Sequence, residues 1–123
     1  MDHPILLATP EEAEFIDNKI DEYNNSQVAF TQEPVIKNFV IKEKDLIIAG
    51  INSCIYNWGI LYVGVLFVHE DYRGMQLGSQ LLARVEADAK AMGARLCHLD
   101  TFDFQAKDFY LRHGYEIFGI LQD

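Results

Sequence analysis

The stretch Val68-His69-Glu70-Asp71-Tyr72-Arg73-Gly74-Met75-Gln76-Leu77-Gly78-Ser79 decides the fold of this chain. An apolar run ends at Val68, a polar turn carrying glycine follows, and a helical period then sets in. Leu77, Leu81, Val85, Ala89 and Met92 fall on one helix face, and Gly93 is a natural stop. The first turn of a helix leaves backbone N–H groups unpaired and carries partial positive charge. Glycine lets a bulky phosphate approach the backbone, and Arg73 adds a full charge beside it. The turn therefore has the makings of an anion site. It is not a Walker loop, because no Gly-Lys-Ser/Thr follows, and it lacks the Gly-x-Gly-x-x-Gly of dinucleotide binders. Taken alone, a glycine-bearing strand-to-helix turn is equally compatible with plain packing.

Upstream of this turn the pattern is that of strands. Val35 to Ile41, Leu46 to Tyr56 and Ile60 to Val68 are rich in β-branched and aromatic residues. Turn signals at Lys42-Glu43-Lys44-Asp45 and Asn57-Trp58-Gly59 separate them, so an antiparallel meander is predicted. His3 to Ala8 is a short apolar run, expected as a first strand. Thr9-Pro10-Glu11-Glu12 reads as a helix start, with a Thr cap, Pro at the first helical position and Glu three residues after the cap. Ala13, Ile16, Ile20 and Tyr23 continue it at helical spacing to about Asn24. Downstream, Leu96 to Thr101 is a predicted strand. Asp103 is placed to cap a short helix bearing Ala106, Phe109 and Tyr110 and stopping at Gly114, and Tyr115 to Leu121 is a predicted last strand. The order β-α-β-β-β-α-β-α-β gives an α+β, mixed-sheet fold with helices covering the sheet.

The bulk properties narrow the function. A chain of 123 residues fits one domain, 1–123, at about 100–200 residues per domain. No apolar run approaches the roughly 18–20 residues of a membrane span, and the start carries no basic, then apolar, leader pattern, so a cytoplasmic protein is expected. The net charge of −9 argues against nucleic acid as a partner. Seven of those nine charges lie between Met1 and Pro34, where Lys19 is the one base. An acidic face of that kind is ordinarily a solvated helix surface, and it would also attract a cationic ligand. Cys54 and Cys97 sit in apolar runs and are expected to be reduced and structural. His3, His69, His98 and His113 have no metal-ligand spacing, so no metal is expected.

The Arg73–Gly78 turn resembles the acyl-CoA pyrophosphate loop of the GNAT superfamily of N-acetyltransferases, whose pattern is Arg/Gln-x-x-Gly-x-Gly/Ala. Arg73 and Gly78 match its first and last positions, whereas Gln76 stands where the second-to-last glycine belongs. Gln76 keeps a backbone N–H to donate, and helix-start dihedrals are not expected to demand glycine there; its side chain is a possible obstacle to the pyrophosphate. Two further segments carry the resemblance. Trp58-Gly59-Ile60-Leu61-Tyr62-Val63 with Val65-Leu66-Phe67-Val68 is similar to the family's central strand. Leu99-Asp100-Thr101-Phe102, then Gln105-Ala106, Phe109-Tyr110, Gly114-Tyr115-Glu116 and Phe118-Gly119, resembles its last conserved segment.

The resemblance implies a central mixed, mostly antiparallel sheet with a splayed parallel strand pair and helices on both faces. It also implies acetyl-CoA as co-substrate. The pyrophosphate would rest on Arg73, Gly74, Met75, Gln76, Leu77, Gly78 and Ser79, and the pantetheine arm would pair with the main chain of Leu66, Phe67 and Val68. A backbone N–H of that strand would stabilise the oxyanion of a tetrahedral intermediate. Tyr110 is the expected general acid for the thiolate leaving group, its alternative being an aromatic on a packed helix face. Asp103 stands where relatives contact cofactor or ordered water, and a helix cap is an equal account. No general base is assigned: Glu70 and Asp71 are turn acids, Gly64 replaces an acid found in some relatives, and His69 and His113 read as surface residues.

The implied reaction is direct attack of an amine on the thioester of acetyl-CoA, with a small amine or polyamine as acceptor. The acidic first helix favours a cationic acceptor, which neutralising Glu11, Glu12 and Asp17 would test. The alternative is a non-catalytic acyl-CoA-binding or partner-binding module on the same fold. The family's final strand is missing from the pattern after Leu121. An edge bearing Ile117, Phe118, Ile120 and Leu121 is expected to be covered by a second copy as a homodimer, which a light-scattering mass decides.

Overall fold

The computed structural model describes residues 2–29, 32–101 and 105–122. It divides into two compact units, Met1–Gln32 and Glu33–Asp123.

The first unit is built on one helix, α1 (Pro10–Gln27). Its start is the capping box expected from the sequence. The Glu12 N–H donates to Thr9 Oγ1 at 3.1 Å, and the Thr9 N–H donates to Glu12 Oε1 at 2.9 Å. Two of the N–H groups that a helix start leaves orphaned are thereby satisfied, with Pro10 needing no partner. Residues 3–8, expected as a strand, are irregular. An apolar run is only half of a ladder, and none of the described residues pairs with it.

The second unit is a five-stranded sheet of β1 (Val35–Ile36), β2 (Phe39–Glu43), β3 (Leu46–Tyr56), β4 (Ile60–Val68) and β5 (Leu96–Leu99). Strands β1 and β2 run antiparallel along one edge of β3, β4 pairs antiparallel with its other edge, and β5 lies parallel to β4. A parallel pair needs a crossover connection, and helix α2 (Leu77–Ala91) lies in it, ended by Gly93 at φ 88°. A short helix, α3 (Lys107–Arg112), follows β5. The sheet is mixed and mostly antiparallel, as expected.

The segment expected as one strand from Val35 to Ile41 is broken at Lys37 and Asn38. The cause lies in β3. Ser53, only 5% exposed, donates its hydroxyl to the Lys37 carbonyl at 2.5 Å and its N–H to Asn38 Oδ1 at 2.9 Å. The Asn38 side chain thus takes a donor that a continuous ladder would have used. Above this break the edge is tied to α2: Lys37 pairs with Asp88 at 3.4 Å, and the Arg84 guanidinium lies 4.5 Å from the Phe39 ring centre.

Ala49, Ile51, Ile55, Leu61 and Val63 of β3 and β4 form the core with Leu81, Leu82, Val85 and Ala89 of α2 and Tyr110 of α3. These are the inward positions of a period-2 strand pattern meeting those of a period-3.6 helix. Strand β5 stops at Leu99, two residues before the expected Thr101. The expected cap Asp103 lies outside the described residues, and the N-cap of α3 is instead Ala106. Residues 115–121, expected as a last strand, are irregular because no described residue offers them a ladder. Tyr115 is instead fixed by its side chain, 2.6 Å from Glu86 Oε2 and 3.1 Å from Cys97 Sγ. Burial raises the Cys97 thiol above its ordinary range, so it is a neutral packing group. Among the described residues no helix is long and apolar enough to cross a membrane.

The start of α2 departs from expectation. Gln76, its N-cap, has φ 66° and ψ 15°, the left-handed region that an L side chain occupies at a cost of about 1 kcal/mol or more. The dihedrals there do favour glycine. Two predictions follow from these backbone details. Gln76→Gly should raise the unfolding free energy by about 1 kcal/mol in urea denaturation; an unchanged or lowered value would contradict the strain. Ser53→Ala should lower it by about 1–2 kcal/mol, the usual loss when a buried hydrogen bond is broken; a neutral result would show that the break between β1 and β2 does not depend on Ser53.

Candidate functional site

Pairing between β4 and β5 ends at Val63↔Leu99, whereas β4 runs on to Val68. A β-bulge marks the same place. Asn52 opposes Val65 and Ser53 opposes Val63, so Gly64 is the extra residue. A bulge bends its strand and sharpens the local twist, which carries residues 64–68 away from the line of β5. The backbone edge they turn toward β5 has no strand partner among the described residues.

The result is a cleft of about 960 Å³. One wall is the free edge of β4, the floor is the turn into α2, and the opposite wall is α3 with Asp100, Thr101 and Gln105. Of the residues singled out from the sequence, Leu66, Phe67, Val68, Arg73, Gly74, Gln76, Leu77, Gly78, Ser79 and Tyr110 all line it. Met75 does not; it is 57% exposed and outside the lining. Asp103 lies outside the described residues.

The floor is made for an acceptor group. Gly74 has φ 79° with nothing within 4 Å of where a Cβ would stand, so the backbone conformation rather than crowding calls for glycine. The Gln76 side chain makes no capping hydrogen bond. The N–H groups of Leu77, Gly78 and Ser79 therefore take no acceptor from it and are left for another. Arg73 lines the same cleft, its Nε donating to the Val68 carbonyl at 3.3 Å. Arg73 and the start of α2 thus line the same part of the cleft, and open helix N–H groups, the helix dipole and a guanidinium are each groups that favour an anion.

The α3 wall is aromatic. The Phe109 ring would lie 3.4 Å from a Cβ at Gly78, so that glycine admits it to close contact. Tyr110, 8% exposed, is packed edge-to-face against Phe109 at 5.2 Å and against Tyr115 at 5.7 Å. Burial, then the neighbouring Cys97, raises its phenol above the ordinary value, which keeps the proton on it at neutral pH. Both roles weighed for Tyr110 are thus compatible with its position: it belongs to the core and lines the cleft.

His113 is exposed, as expected, and it also lines the cleft. Its Nε2 lies 2.8 Å from Ser79 Oγ, its Nδ1 lies 2.7 Å from the Phe109 carbonyl, and its ring lies on Phe109 at 4.3 Å. Nothing in its local sequence signals this, since its partner is 34 residues away. Asp100, Thr101 and Gln105, from the segment that resembles the family's last conserved stretch, line the cleft as well. Glu70 and Asp71 form a 3₁₀ turn with Tyr72; Tyr72 lines the cleft and the two acids do not, and His69 caps the turn by accepting the Asp71 N–H at 3.1 Å.

Comparison with known proteins agrees with this geometry. Residues 36–117 match the model of the acetyltransferase (GNAT) domain. The chain is 42% identical over 67 residues to the blasticidin-S acetyltransferase of Streptomyces morookaense, covering 54% of this chain and 49% of that protein. It spans about half the length of the curated relatives it matches, or somewhat less. A solved acetyltransferase from Bacillus cereus ATCC 14579 superposes with a TM-score of 0.86 at 37% identity, covering 95% of this chain and 85% of that one. The aminoglycoside N-acetyltransferase AAC(6')-Iy, solved in complex with CoA, shares the fold with a TM-score of 0.59 at 16% identity, over 90% of this chain and 87% of that one. With the splayed strand pair, the glycine turn and the domain match in agreement, the chain belongs to the GNAT family of acetyltransferases.

Proposed function

We propose that this protein transfers an acetyl group from acetyl-CoA to a primary amine of a small-molecule acceptor. One observation carries the proposal: an unpaired strand edge and an open helix start face a single cleft. An amide-bearing arm needs the first, and a pyrophosphate needs the second. The residues present fit both ends of such a molecule. Main-chain groups of Leu66, Phe67 and Val68 pair with the arm, which takes the role of the missing strand partner. Arg73 and the N–H groups at the start of α2 hold the anionic end.

The donor supplies a thioester, an acyl carbon already activated for attack. The protein's part is to place it, polarise it and manage protons. A free backbone N–H in residues 64–68 is suited to bind the carbonyl oxygen as charge develops on it. The amine forms a C–N bond to the acyl carbon, the C–S bond breaks, and Tyr110, protonated at neutral pH, is suited to donate to the departing sulfur. The proton lost by the amine leaves to solvent, since no carboxylate or imidazole is assigned as base. A small amine-bearing acceptor is supported by the relative and the fold neighbour whose names specify an antibiotic and an aminoglycoside. The net charge of −9 favours a cationic acceptor over an anionic one.

Calorimetric titration with acetyl-CoA, followed by thiol-release assays across a panel of amines, tests the proposal. Wild type should bind acetyl-CoA, and Arg73→Glu should abolish detectable binding. Tyr110→Phe should lower kcat roughly 100-fold with little change in the KM for acetyl-CoA, as for loss of a general acid. Binding without turnover on any amine would identify an acyl-CoA-binding module, and absence of wild-type binding would remove the proposal.

A further inference from the structure

The hydrogen bonds around His113 fix the tautomer of its neutral ring in a way that bears on the start of α2. The Phe109 carbonyl has only lone pairs to offer, so the proton of a neutral imidazole must sit on Nδ1, which lies 2.7 Å away. Nε2 is then an acceptor, and its partner at 2.8 Å, Ser79 Oγ, must donate to it. Ser79 is the third residue of α2, among the N–H groups that face the cleft. With its hydrogen committed to His113, its oxygen presents only lone pairs toward an incoming phosphate, which repels them. Adding one proton to Nε2 reverses the bond. Nε2–H⁺ donates to Ser79 Oγ, the hydroxyl hydrogen is released to turn toward the anion, and a positive charge stands behind it.

We propose that His113 is a proton-linked binding residue: a phosphate seated at the start of α2 is bound together with one proton taken from solvent at His113 Nε2. The proposal rests on the acyl-CoA site proposed above and adds to it the residue that makes that site's affinity depend on pH. The groups packed on the imidazole are Ser79 from α2 and the Phe109 ring and carbonyl from α3. The other ionisable residues lining the cleft are Tyr72, Arg73, Asp100, Lys107, Asp108, Tyr110 and Arg112. Histidine is the residue type among these whose charge ordinarily changes between pH 5 and 8. By linkage, a proton taken up on binding means affinity that is highest at low pH and falls as pH rises.

The probe is dephospho-CoA, whose pyrophosphate keeps a constant charge across this range and which lacks the titrating 3′-phosphate of CoA. Calorimetry at fixed ionic strength, in two buffers of different ionisation heat, reads both the affinity and the protons taken up. Wild-type affinity should weaken about tenfold between pH 6 and pH 8, as one linked proton allows, with net proton uptake near pH 7. His113→Gln, which can still hydrogen-bond to Ser79 without titrating, should bind with a flat pH profile and no proton uptake. Wild-type binding that is independent of pH, with no proton taken up, would overturn the role of His113 and leave the acyl-CoA site standing. A pH dependence that persists in a folded His113→Gln would also overturn it. Failure of the wild type to bind at any pH would remove the site and this proposal together.

Discussion

Residues 65–68 keep their pairing with β3 on one side and lose β5 on the other. Backbone N–H and C=O groups are obligatory hydrogen-bonding groups, so an edge that turns from a strand neighbour toward a cleft creates an unmet demand along its length. The bulge at Gly64 sits one residue past the last β4–β5 pair, and its bend is the local cause of the divergence. Gly64 is not there for lack of room, because a Cβ would stand 3.6 Å from the Asn52 carbonyl, an ordinary contact. The rest of the site is arranged around this divergence. The turn into α2 closes its floor, and α3 supplies a wall that a continuing β5 would otherwise have displaced.

The turn performs two tasks with one backbone. It must start a helix whose inward face, Leu81, Leu82, Val85 and Ala89, completes the core. It must also leave the first N–H groups of that helix open toward the cleft. Gly74 and Gln76 both adopt positive φ to do so, and strained backbone at such a place is common where a ligand is held. At Gly74 the conformation is free of penalty. At Gln76 a side chain is carried through it, so this chain keeps the geometry of the turn at some expense of stability. Arg73 and His113 bring cationic or protonatable groups to a floor within a chain of net charge −9, where a phosphate would otherwise meet an unfavourable field.

What the sequence made legible follows from range. The capping box of Thr9 and Glu12, the limits of β3 and β4 and the start of β5 are dictated by neighbours within a few residues, and the structure has them where the pattern placed them. The turn, its arginine and its helix start are contiguous in sequence, and all but Met75 of residues 73–79 line the cleft. The misses depend on distant partners. The break at Lys37 and Asn38 is imposed by Ser53, 16 and 15 residues further along. The expected strands at 3–8 and 115–121 had the right composition, but a strand exists only with a partner, which composition cannot supply. His113 owes its place on the cleft wall to a contact with Ser79 that no local spacing announces. The left-handed conformation at Gln76 was hidden because the usual marker of positive φ, a glycine, is not there.

Amide hydrogen exchange with and without acetyl-CoA tests the central claim most directly, since it reads the backbone groups on which the account depends. Protection should rise at amides within residues 64–68 of β4 and 77–79 of α2 on addition of acetyl-CoA, while exchange in the β3–β2 ladder stays unchanged. Unaltered exchange in both segments under saturating acetyl-CoA, or protection confined to another part of the chain, would contradict the assignment of the β4 edge and the start of α2 as the site that holds it.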